Sequence, residues 1–172
     1  PPAPGALSPS GGHILFTSGT TGQYKRLIFD GAREFARDAM RVQAQGLRAH
    51  TVLHGGRFPL WTAAGFKSPT GVWHAGGCVV LDDTPATLER LLADSVTDVA
   101  MVPAMLDDLL ASAGERDAPP GSFRLGVGGG FVPARIAEAL LRRVTSQLEI
   151  AYGATEITGL PLPEGDHAPA YC

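Results

Sequence analysis

Cysteine is scarce. There are two in 172 residues, Cys78 inside an apolar run and Cys172 at the last position. That spacing supports neither a disulfide framework nor a cysteine metal site, and it reads as cytoplasmic. No apolar run reaches the roughly 18 residues that a spanning helix needs, and no stretch has the charged, apolar, small-residue order of a secretory leader. Charge of one sign is not in excess either: 14 Lys and Arg against 17 Asp and Glu leave a net charge of −3. Nucleic acid and anionic membranes are therefore not expected as partners. An initiating Met is absent too. The chain opens at Pro1, which reads as a piece of something longer.

What is present is a regular alternation. Residues 1–12 are rich in Pro, Gly and Ser and read as a flexible lead-in. "HILF" follows as a short buried-type strand. Asp30 then offers an N-cap to a helix that Gly46 stops. Ala32, Phe35, Ala36, Ala39 and Met40 share one face of that helix, with Arg33, Arg37 and Arg41 on the other. Further on, "TVLHG", "CVVL", "DVAMV", "FRLGVG" and "LEIAYG" read as strands. Between them lie a weak helix in "AAGFKSPTGVWHAGG" and stronger ones in "ATLERLLADS", "PAMLDDLLASAG" and "PARIAEALLRRV". The last two open on Pro, the residue suited to a first helical turn. This pattern predicts an α/β fold with an open, mainly parallel sheet flanked by helices. The length suits one domain, placed at residues 13–160, with a Pro-rich tail over 161–172.

Ligands of such sheets bind outside the carboxyl ends of the strands. Three unusual loops are expected there: Thr17–Gly22, Gly128–Gly130 and Tyr152–Glu156. In the first, glycines let backbone N–H groups approach an anion, hydroxyls add donors, and Lys25 adds a mobile charge. A triphosphate fits that equipment. Gly and Ser alone favour a flexible turn that ends in a solvated Lys-Arg pair. The spacing is not that of a Walker loop, because Gly22 and Lys25 are not adjacent and no Ser or Thr follows the lysine. In the third loop Tyr152 offers a flat ring, Thr155 a hydroxyl and Glu156 a hard oxygen ligand for Mg²⁺. Thr155 and Glu156 also fit a plain helix N-terminus. His13, His50, His54, His74 and His167 lack partners at ligand spacing and read as structural or surface residues.

The run Phe16-Thr17-Ser18-Gly19-Thr20-Thr21-Gly22-Gln23-Tyr24-Lys25-Arg26 resembles the phosphate loop of the adenylate-forming (AMP-binding) superfamily. That superfamily holds acyl- and aryl-CoA synthetases, luciferases and peptide-synthetase adenylation domains. Tyr24 and Arg26 stand where proline and glycine are usual. "FPLWTAAG" resembles the superfamily's Pro-Leu-Phe-His-x-x-Gly segment, with Thr62 at the histidine position. "MVPAMLDDLL" is similar to its Val-Pro-x-x-Leu helix entry, "GVGGGFVPARI" to its Gly-Gly-Ala-Pro-Leu-Pro segment, and "AYGATE" to its aromatic-Gly-x-Thr-Glu motif.

The resemblance implies residue roles. Thr17, Ser18, Gly19, Thr20, Thr21, Gly22 and Lys25 would hold phosphates. Gly129, Gly130, Phe131, Tyr152, Gly153 and Thr155 would hold the adenine and AMP, and Glu156 the Mg²⁺. Trp61, Thr62 and Gly65 would line the acid pocket, although Trp61 is equally consistent with a core residue. The implied parent is an ATP-dependent ligase that makes an acyl- or aryl-adenylate from a small carboxylic acid. Coenzyme A or a carrier-protein phosphopantetheine would then accept the acyl group. The superfamily's ribose-binding aspartate and C-terminal lysine have no counterpart in these 172 residues, so this chain alone is expected to be inactive and to self-associate through uncovered apolar surface. Two other readings stay open. "LGVGGG" also resembles the glycine turn of an S-adenosylmethionine-type nucleotide-binding domain, a reading that leaves "TSGTTG" unexplained. The other is a non-catalytic binding or assembly remnant.

Overall fold

The computed structural model describes residues 11–18, 24–82, 84–153 and 160–161. Five parallel strands form the centre: β3 (Val52–His54), β4 (Cys78–Val80), β5 (Asp98–Met101), β6 (Gly121–Gly128) and β7 (Thr145–Tyr152). A two-residue strand, β8 (Leu160–Pro161), adds antiparallel to β7. The order across the sheet is β4-β3-β5-β6-β7-β8. The α/β architecture with an open, mainly parallel sheet is thus the one expected. β8 has no forerunner in the sequence reading, because two residues carry no periodicity.

One correction concerns the first strand. β1 (Gly12–Ser18) does not join this sheet. It pairs antiparallel with β2 (Tyr24–Asp30) in a separate two-stranded ribbon, in register from Gly12↔Asp30 to Ser18↔Tyr24. The ribbon's pairing runs as far as Ser18 and Tyr24, and residues 19–23 between them lie outside the described residues. The physical reason for this pairing is the partner that directly follows the loop: seven extended residues, matched one to one with β1. Side chains alternate across the ribbon. Leu15 and Phe29 are buried, while Ile14 and Ile28 face out.

The helices are α1 (Gly31–Ala44), α2 (Ala63–His74), α3 (Leu88–Ala93), α4 (Leu106–Ala113) and α5 (Ala134–Arg143). A 3₁₀ turn, Pro103–Met105, leads into α4. Asp30 caps α1 by accepting from the Arg33 N–H at 3.1 Å, and Gly46 follows its end at φ +63°. Thr62 and Thr87 cap α2 and α3 in the same way. α4 ends at Gly114, whose carbonyl accepts from Arg143 Nε at 2.7 Å.

Successive side chains of β3 point to opposite faces. Val52 packs with the larger core, which α3, α4 and α5 cover and in which Phe123, Leu125 and Leu140 are fully buried. Leu53 packs with Leu47 and Val72 on the α1 and α2 side. This division follows from chain direction. The β3–α2–β4 crossover runs one way along the sheet and the crossovers from β4 to β7 run the other, so right-handed connections place their helices on opposite faces.

α1 is rotated relative to its sequence pattern. Ala32, Phe35, Ala36, Ala39 and Met40 are all exposed, Phe35 by 67% and Met40 by 69%. Glu34, Asp38 and Arg41 are buried instead. The inner face meets α2, which offers polar partners. Arg41 Nη1 donates to Asp38 Oδ1 and, at 2.8 Å, to the Lys67 carbonyl, while the Thr70 hydroxyl donates to Asp38 Oδ1 at 3.2 Å. Gly71 leaves room for the arginine stem: a Cβ there would sit 3.3 Å from Arg41 Cδ. Burying charge is tolerable only when it is paired and hydrogen-bonded, and here both conditions are met.

Candidate nucleotide-binding site

Three segments with chemistry of their own can be placed. The first is the turn at the carboxyl end of β6. Gly129 has φ +80°, a conformation glycine adopts without strain, and a Cβ there would lie 3.3 Å from Val102 Cγ1. A Cβ on Gly130 would lie 3.2 Å from Pro103 Cγ. The glycines thus let this turn run close beneath the Val102–Pro103 corner. Phe131 follows and is exposed. The second segment is the end of β7. Gly128 pairs with Ala151, so Tyr152 stands at the edge beside the glycine turn, also exposed. Two exposed aromatic rings flanking bare backbone suit a flat heterocycle, which would cover apolar ring faces that otherwise meet water.

The third segment is the ribbon. Ser18 and Tyr24 are its last paired residues, and Thr17 pairs with Lys25. Gly19, Thr20, Thr21 and Gly22 lie outside the described residues, as do Thr155 and Glu156. Thr17, Ser18 and Lys25 are placed by that backbone pairing. Among the described residues, no group of three or more His, Cys, Asp and Glu side chains is arranged to hold a metal.

The turn from Phe58 to Gly65 links the ribbon to α2. The Phe16 N–H donates to the Trp61 carbonyl at 2.9 Å. Trp61 is exposed. The Thr62 hydroxyl donates to the Pro59 carbonyl at 2.7 Å and accepts from the Gly65 N–H at 3.2 Å. A Cβ on Gly65 would lie 2.2 Å from the Pro59 carbonyl oxygen and 2.6 Å from that of Phe58. Only glycine fits.

Against this geometry, the family model described as AMP-binding enzyme matches residues 12–170. The chain belongs to the AMP-binding enzyme family. A search of curated protein sequences returns no match. Among solved structures, ATP-bound MatB from Rhodopseudomonas palustris superposes with a TM-score of 0.71 at 20% identity, covering 91% of this chain and 32% of MatB. O-succinylbenzoate coenzyme A synthetase (MenE) from Bacillus subtilis, in complex with ATP and magnesium ion, superposes with a TM-score of 0.68 at 24% identity, covering 86% of this chain and 32% of MenE. At these identities the superpositions speak for the fold. The chain spans about a third of the length of either structure.

Two further features lie beside these segments. His54, at the end of β3 and read from the sequence as structural or surface, is fully buried. Its Nδ1 accepts from the Gly56 N–H at 3.2 Å, which leaves the proton on Nε2, and Nε2 has no partner among the described residues. Burial pushes its pKa below the ordinary 6.5, with the Asp82 carboxylate pulling the other way. The second feature is a cavity of about 20 Å³ lined by residues such as Gly56, Arg57, Met101, Met105 and Asp108. It sits where crossovers from β3 and β5 leave in opposite directions, the switch point of the sheet. A volume of that size holds about one water, not a nucleotide. The sequence reading passed over the cavity, of which the Gly-Gly pair after "VLH" is the hint. Among the described residues, no helix is long and apolar enough to cross a membrane.

Proposed function

We propose that this chain is the nucleotide-facing subdomain, over residues 13–160, of an ATP-dependent ligase that activates a carboxylic acid. The observation that carries the reading is the family match over residues 12–170, which takes in both the Thr17–Gly22 loop and the Tyr152–Glu156 motif. The S-adenosylmethionine reading leaves the first of these without a purpose.

In the proposed reaction a carboxylate oxygen attacks the α-phosphorus of ATP. The bond from that phosphorus to the bridging oxygen of pyrophosphate breaks, and an acyl- or aryl-adenylate forms. A thiolate of coenzyme A, or of a carrier-protein phosphopantetheine, then attacks the acyl carbon and AMP leaves. The chain's residues orient and neutralise. Backbone N–H groups and hydroxyls of the Thr17–Gly22 loop would hold the β- and γ-phosphates, with Lys25 adding a cation. Gly129, Gly130 and Phe131 would lie under the adenine, Tyr152 would stack on it, and Gly153 would let the backbone approach. Thr155 would donate to the α-phosphate. Glu156 is the carboxylate suited to hold Mg²⁺, which when bound neutralises phosphate charge. Trp61, Thr62 and Gly65 stand on the proposed acid side.

The exposed apolar faces at Phe35 and Met40 on α1 and at Ile14 and Ile28 on the ribbon support two further parts of the proposal. In a longer protein other segments cover them; in this chain alone they drive self-association. The 172 residues by themselves are proposed to bind nucleotide without turnover, in the cytoplasm. ATP–pyrophosphate exchange tests the whole reading. A longer protein carrying this chain should exchange label only when a suitable acid from a fatty, aryl and amino acid panel is present, and the chain alone should not. Exchange by the chain alone at a comparable rate would refute the division of labour. Absence of acid-dependent exchange in the longer protein across the panel would count against the ligase.

A further inference from the structure

Among the described residues, the ribbon shares no ladder with the six-stranded sheet. The placement of Ser18 and Tyr24 is therefore set by what β1 and β2 lean on. At its base the Gly31 N–H donates to the Gly11 carbonyl at 2.9 Å, a hinge at the start of α1. Next, the His13 ring stacks on Phe29 and lies 4.1 Å from the ring of Phe66 on α2. The Lys67 ammonium, also on α2, sits 4.4 Å from the centre of the Phe29 ring. Nearest Ser18, the Phe16 N–H meets the Trp61 carbonyl. From Phe66 to Trp61 these supports belong to α2 and the turn that opens it.

That turn is stiff. Thr62 ties it with a hydroxyl bonded on both sides and a backbone N–H that reaches the Pro59 carbonyl at 2.9 Å. Gly65 lies against the Phe58 and Pro59 carbonyls with no space for a methyl group. We propose that Gly65 and Thr62 are positioning residues for the phosphate hairpin: they hold the Trp61 carbonyl where Phe16 needs it, and so fix where Ser18 and Tyr24, the last paired residues of the ribbon, stand. The proposal rests on the reading that the loop after Ser18 grips the triphosphate, and it gives these residues a role other than lining the acid pocket.

The ribbon acts as a lever. A strand rises about 3.3 Å per residue, so Phe16 lies roughly 13 Å and Ser18 roughly 20 Å from Gly12. A methyl at Gly65 must push the turn by about an ångström to reach ordinary contact. Transmitted through Phe16, that becomes about 1.5 Å at Ser18, enough to break hydrogen bonds that tolerate only a few tenths of an ångström. Adenine recognition, proposed at β6 and β7, lies on the other sheet and does not move.

The test uses the 172-residue chain, with Mg-ATP and AMP as probes in separate titrations. Gly65→Ala should weaken Mg-ATP binding by about tenfold or more and leave AMP affinity within about twofold, on the premise that phosphate contacts need this placement. Thr62→Val should act in the same direction more mildly, and Thr62→Ser should restore the wild-type ratio. The Phe16 amide should exchange with deuterium faster in both weakened variants. A purely structural role would lower both affinities together. Should Gly65→Ala fail to fold, the Thr62 pair decides alone. An ATP-to-AMP affinity ratio equal to wild type in the folded variants would overturn the proposal while leaving the functional reading standing. A wild-type chain that binds Mg-ATP no better than AMP would overturn both.

Discussion

Asp38→Ala removes one partner of the pair buried between α1 and α2. The Asp38 and Arg41 side chains are 12% and 8% exposed. After the substitution, Arg41 keeps the Lys67 carbonyl and loses its counter-charge. Breaking a buried pair in this way costs about 3–5 kcal/mol, because it strands a charge. A domain of this size loses about 2–4 °C in Tm per kcal/mol, so Tm should fall by roughly 6–20 °C. The double variant Asp38→Leu/Arg41→Met removes both charges and fills the space with apolar atoms. It should recover most of the loss, since such replacements are often neutral or stabilising. Phe35→Ser on the opposite face should change stability by no more than about 0.5 kcal/mol, as expected for an exposed site. Thermal and urea unfolding followed by far-UV circular dichroism at low protein concentration would measure all three. The reverse ranking, with Phe35→Ser costing more than Asp38→Ala, would mean that α1 buries its apolar face, and the packing of α1 on α2 described above would be wrong.

Acid should destabilise the chain as pH falls from 7.5 to 5.5. His54 faces Asp82, Arg90 and Asp94, and burial outweighs the carboxylates in lowering its pKa. Its neutral form therefore belongs to the folded state. Stability is complete above the unfolded value of 6.5 and declines below it, with a slope of up to about 1.4 kcal/mol per pH unit. His13, also lowered by burial with Glu34, Asp38 and Lys67 nearby, adds in the same direction. His54→Asn should flatten the profile, and an identical profile in the variant would contradict this assignment. Lys25→Ala should weaken Mg-ATP binding more than AMP binding; equal losses in calorimetric titrations would remove Lys25 from the β- and γ-phosphates. Light scattering should show concentration-dependent association, reduced by Phe35→Ser/Met40→Gln, whereas a strict monomer at high concentration would refute the uncovered-face argument.

The parallel sheet was legible because each of its strands is a short apolar run set between capped, amphipathic segments. Pro103 and Asp30 mark helix entries by local chemistry that tertiary contacts do not override. The ribbon was not legible. Lys25 and Arg26 interrupt the apolar pattern of β2, and "HILF" has the same composition whether its neighbour is a sheet or a hairpin. The rotation of α1 was hidden for a different reason. Periodicity names the apolar face, yet which face is buried depends on the partner, and α2 offers the Lys67 carbonyl and the Thr70 hydroxyl. At the site, Gly129, Gly130 and Tyr152 stand out in sequence because glycines and aromatics at strand ends have few structural uses. The constraint on Gly65 arises from the Phe58 and Pro59 carbonyls folding back upon it. No single-residue signal reports that.

On the proposed reading the ribbon and the β6–β7 edge serve one nucleotide. An amide-resolved NMR titration of the 172-residue chain with Mg-ATP tests this. Shifts should appear together, with one affinity, at Thr17, Ser18 and Lys25 on the ribbon and at Gly129, Gly130, Tyr152 and Gly153 on the sheet edge. Shifts on only one of the two segments, or confined to other parts of the chain, would contradict it.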